Sequence, residues 1–164
     1  MLYVSDCLNE EDLKTIGEFT ATWAAFEQEF FAKKCAMKKI NSDICNKEIT
    51  DGYLENLTSE LRKALITYKG NVYDSLLALK FRSDNVSNLG RTQTQEWLNE
   101  EIPCTYQIPI WVIFRIRCNM FHGEKALWNL HQQETVFKIC IAILEAYIQG
   151  KDRLGICKSI IEQQ

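Results

Sequence analysis

Between Pro109 and Phe121 the chain is apolar on two opposite sides of any helix it can form. At 100° per residue, Trp111, Phe114, Cys118 and Phe121 fall on one side, and Val112, Ile113, Ile116 and Met120 on the other. A helix of this kind is either central in its own bundle or covered by a second chain. The pattern predicts a helix from about Pro109, whose missing N–H suits a first turn, toward Phe121. It also gives a reason to expect a two-fold dimer through this element.

Elsewhere the apolar spacing is helical on one side only. Leu13, Ile16, Phe19, Trp23, Phe26 and Phe30 recur every three or four positions, which predicts a long first helix from Glu10 to about Lys39 with Asn9 as N-cap. Such an aromatic stripe is packing surface rather than a cofactor box. Glu27 sits beside it, either solvated or reaching inward to a cationic centre. A second helix is predicted from Asp51 to Tyr68 with Leu54, Leu57, Leu61 and Leu65 inside, ended by Gly70-Asn71, and a short third one over Val72 to Phe81. Ser83 to Glu100 is polar and interrupted by Gly90, so shorter helices and loops anchored by Val86, Leu89 and Trp97 are expected.

Val136, Ile139, Cys140, Ile143, Leu144 and Tyr147 mark a helix over Gln133 to Gln149 that Gly150 is placed to stop. Leu154, Cys157, Ile160 and Ile161 suggest a short terminal helix. Strand-like alternation is nearly absent. The expected class is all-α, an antiparallel helical bundle of about five to seven helices. With 164 residues, 46% hydrophobic and 25% charged, one domain spanning 1–164 can bury a substantial core.

Composition narrows the function classes. The formal charge of −3 gives no global attraction to phosphate, so any nucleic-acid contact must be local. Lys33, Lys34, Lys38 and Lys39 form the one dense basic cluster, and a solvated helix end accounts for it. The seven cysteines are an odd number without a CxxC pair, which fits reduced thiols better than a disulfide framework or a zinc ribbon. No run of eighteen apolar residues exists, and the first residues lack the basic flank and apolar core of a signal peptide, so a cytoplasmic protein without a membrane partner is expected.

Arg115, Arg117, Asn119 and His122 stand on or at the end of the doubly apolar segment. Placing them there is costly unless they are paired, hydrated in a cleft or bound to an anion. On an ideal helix Arg115, Asn119 and His122 share a stripe, because separations of four and seven residues return to within about 40° of the start, whereas Arg117 falls about 140° from His122. His131 has no such context and reads as a surface or capping residue.

The string Arg117-Cys-Asn-Met-Phe-His-Gly-Glu-Lys125 closely resembles the signature of the HEPN domain family (higher eukaryotes and prokaryotes nucleotide-binding), in which Arg is followed after four to six residues by His. The resemblance is sharp over about Trp111 to Trp128 and architectural elsewhere. It aligns Arg117, rather than Arg115, with the motif Arg. Two geometries reconcile that with the ideal-helix stripe. Either the helix ends before His122, with Gly123 permitting a left-handed turn, or the Arg of one subunit works with the His of its two-fold mate.

What the resemblance implies is a metal-independent endoribonuclease that needs no cofactor. Arg117, His122 and Asn119 would be its catalytic residues, supported by Arg115, Glu27, Lys125 and Gly123. Family members often act as toxins or phage-defence effectors, and some are neutralised by a nucleotidyltransferase-type antitoxin. RNA, a second copy and such an antitoxin are therefore the expected partners. Cys118, directly after the Arg, departs from the polar residue common there, and a thiol is a poor hydrogen-bonding group. The alternative expectation is a non-catalytic helical dimer that binds a nucleotide or a protein.

Overall fold

The computed structural model describes residues 8–32, 37–69, 85–120 and 133–158. Six helices make up most of them: α1 (Glu10–Phe31), α2 (Met37–Asp43), α3 (Gly52–Lys69), α4 (Asn85–Leu98), α5 (Gln107–Met120) and α6 (Glu134–Gly150). Among the described residues the only β pairing is two isolated antiparallel bridges, Ile44 with Cys157 and Glu48 with Thr105. The chain is an all-α bundle. The helix expected over Val72 to Phe81, together with His131, Ile160 and Ile161, lies outside the described residues.

α1 starts as its sequence dictates. The Asn9 side chain accepts from the Asp12 N–H at 2.8 Å and the Asp12 carboxylate accepts from the Asn9 N–H at 3.0 Å, a reciprocal capping box that satisfies two orphan donors. Phe19, Trp23, Phe26 and Phe30 face the core as expected. Leu13 does not: it is 46% exposed, while Asp12 and Thr15 are buried in its place. At 100° per residue, Asp12 rather than Leu13 is in line with Phe19.

The first helix is also shorter than its spacing predicts. It stops at Phe31, with Ala32 in the left-handed region at φ 62°, and the chain resumes as α2. α1 has no basic residue in its last turn, so cations from elsewhere serve its carbonyls. Lys39 Nζ donates to the Phe31 carbonyl at 3.1 Å, and Lys151 Nζ donates to the Glu29 carbonyl at 2.6 Å while lying 5.5 Å from the Phe30 ring centre.

α6 packs most extensively against α1 and then α3, whereas α5 packs against α4 and α2. α1 and α6 run parallel: Glu11 pairs with Lys138, Phe19 meets Phe137 in a tilted ring contact, Phe26 and Phe30 meet Tyr147, and Glu29 meets Lys151. The bundle is therefore antiparallel only in part. α3 and α6 oppose each other, with Asp51 at the start of one 3.8 Å from Arg153 beyond the end of the other. Tyr147 sits where the layers meet, in ring contact with Phe26, Phe30 and Tyr106, and its hydroxyl donates to the Tyr106 carbonyl at 2.8 Å. Burial pushes that hydroxyl well above its ordinary pKa, so it stays a donor at any physiological pH.

Two glycines do not act as punctuation. Gly150 is the last residue of α6 and is buried, and the glycine in the left-handed region is Gly155 at φ 63°. Leu154 accordingly lies among turns and Cys157 in a bridge, not in the expected terminal helix. Gly90 lies inside an unbroken α4, where loops and shorter helices were expected. A Cβ there would stand 2.4 Å from the indole of Trp111, a fully buried ring, so the glycine allows α4 and α5 to approach closely. Trp97 anchors α4, whereas Leu89 is 47% exposed and the Val86 side chain lies outside the described residues.

The described thiols, Cys45, Cys104, Cys118, Cys140 and Cys157, are all free. Burial pushes Cys104 up to about 12, against a smaller lowering by its hydrogen bond with Thr58. Burial likewise raises Cys140 and Cys157. These thiols behave as small buried hydrophobes.

Gly90→Ala supplies a test of the α4–α5 contact. Helix propensity alone would favour Ala by about 1 kcal/mol. Overpacking against an immovable ring costs about 1–3 kcal/mol, so the variant is expected to melt below wild type. A thermal midpoint equal to or above wild type by circular dichroism would show that the helices are not in close contact here.

Candidate functional site at the end of α5

The described part of the expected motif, Arg115 to Met120, falls on a helix that is deeply buried up to Ile116. From Tyr106 through Ile116 every residue of the segment is buried, with Ile108, Ile110, Trp111, Val112 and Ile113 at zero exposure. Its start is pinned by Gln107, whose buried amide donates to the Ile44 carbonyl at 2.8 Å, and by the Tyr106 N–H, which donates to the Lys47 carbonyl at 3.0 Å. Pro109 occupies the first turn, where its missing N–H is of no consequence.

This burial answers the question the two-sided pattern raised. Val112, Ile113 and Ile116 are covered by the chain's own helices, so α5 is the central helix of its own bundle. The second apolar side therefore asks for no partner. A dimer through α5 loses the argument drawn from these residues and rests on the family resemblance.

Emergence from the core is abrupt and happens within the motif. Arg115 is 4% exposed, whereas Arg117 and Cys118 are half-buried in the last turn. Asn119 lies in that same turn, but its side chain falls outside the described residues, as do His122, Gly123 and Lys125 entirely. Sequence reasoning thus finds its two arginines in distinct environments, one interior and one at the boundary with solvent. Both have interaction partners in the fold, as does the half-buried Glu27.

Glu27 is placed by the ring contacts. Trp23 lies 6.0 Å from Phe114 across α1 and α5, while Phe26 and Tyr106 meet the same Tyr147 ring. The two helices therefore run antiparallel. Glu27, one turn beyond Trp23, lies level with the part of α5 preceding Phe114. At 1.5 Å per residue its axial offset is about 7.5 Å from Arg115 and about 10.5 Å from Arg117. The structure brings Glu27 nearer the interior arginine than the boundary one.

A second feature carries no motif and was missed in the sequence. A cavity of about 450 Å³ opens between α3 and the end of α4, lined by residues that include Glu55, Arg62, Trp97 and Cys104. Its walls come from three separate stretches of chain, so no local spacing announces it. Among the described residues no three His, Cys, Asp or Glu side chains converge as a metal centre would require, and no helix is long and apolar enough to cross a membrane. Comparison of the chain with protein-family models, with curated proteins and with solved structures finds no match.

Ile116→Glu separates an interior position from an interface position. A carboxylate at a site 7% exposed is expected to destabilise the monomer by several kcal/mol, seen as a large fall in thermal midpoint. An unchanged midpoint with an altered oligomeric state in light scattering would instead return this residue to a subunit interface.

Proposed function

We propose that the chain is a HEPN-type, metal-independent endoribonuclease. The observation that carries this reading is the Arg117-Cys-Asn-Met-Phe-His-Gly string, whose first residues, Arg117 and Cys118, are half-buried in the last turn of a helix that is buried up to Ile116. RNA supplies its own nucleophile, the ribose 2′-OH. Attack on the adjacent phosphorus forms the bond to the 2′ oxygen and expels the 5′ oxygen, leaving a 2′,3′-cyclic phosphate and a free 5′-OH. The protein must add proton transfer and charge stabilisation. A histidine at position 122 has an ordinary pKa near about 6.5 and can exchange a proton near neutrality. Arg117 offers a planar, permanently charged fork to the non-bridging oxygens as their charge grows. Asn119 orients the phosphate or the 2′-OH.

Arg115 has a different role in this scheme. As a nearly fully buried cation it supports the end of the helix from within, with Glu27 an acidic group on α1 nearer to it than to Arg117. Gly123 and Lys125, outside the described residues, are the further supporting positions that the resemblance implies. A two-fold dimer would supply two histidines to divide the acid and base roles. A cytoplasmic toxin or phage-defence effector, restrained by a nucleotidyltransferase-type antitoxin, is the setting the resemblance implies. The second reading, a catalytically silent helical dimer for a nucleotide or a protein, is favoured by Cys118, a weak hydrogen-bonding group beside Arg117.

Purified protein is expected to cleave RNA in excess EDTA and leave 2′,3′-cyclic phosphate ends. His122→Ala should reduce the rate by about a hundredfold or more with the helical fold retained. Arg117→Lys should also be impaired, because a point charge does not reproduce the bidentate fork. Equal cleavage by wild type and His122→Ala would assign the activity to a contaminant, and strict metal dependence would reject the mechanism.

Arg115→Ala is expected to act first on stability, lowering the thermal midpoint, with a smaller loss of rate per folded molecule than Arg117→Ala. The reverse order of rates would make the interior arginine the phosphate ligand.

A further inference from the structure

We draw no further inference here: the strongest candidate, the exposed face of α1 on which Gly17, Ala21 and Ala24 run on from Leu13, is a stripe of small residues, and nothing among the described residues shows what covers it.

Discussion

Complete burial of α5 from Gln107 through Ile116 is the constraint on which the rest of the structure depends. A helix without an exposed face over its first three turns must be surrounded, and each neighbour bears the mark of that requirement. α4 lacks a side chain at Gly90 so that the Trp111 indole can lie against its backbone. Ile44, the residue after α2, offers its carbonyl to the buried Gln107 amide. α1 presents Trp23 to Phe114, and the Tyr106–Tyr147 contact links the start of α5 to α6. Interiors pack at crystal-like density, so none of these adjustments is independent of the others.

The same burial sorts the polar residues of the motif by depth. Arg115 lies in the interior, where a charge is retained only with partners around it, and two positions later Arg117 has reached the boundary. A buried apolar helix fixes where the boundary guanidinium stands, and the low-dielectric side strengthens the field of a charge placed there. The two arginines, similar in sequence, thus lie in unlike environments.

The parallel pairing of α1 with α6 has its own consequence. Parallel helices bring like ends of their dipoles together, and at the shared C-terminal end Lys151 and Lys39 supply the cations that α1 lacks in its own last turn. The Ala32 turn is held by these long-range bonds instead of by a local glycine. That is why the end of α1 was not legible in the stripe of aromatic residues that runs up to it.

Local periodicity by itself determined the helical class, the Asn9 cap, the inner faces of α1, α3 and α6, and the presence of a doubly apolar helix carrying two arginines, because each depends on spacing within a few turns. Only the tertiary structure decided what covers that helix, since an apolar face reads the same whether a neighbouring helix or a second chain buries it. It alone separated Arg115 from Arg117 by depth, kept α4 continuous through Gly90, exposed Leu13, and gathered the carboxylates of Glu48, Glu55, Glu100 and Glu101 around one cavity. In each case the deciding contact joins residues far apart in the chain. No period of 3.6 residues can record which of two possible neighbours arrives.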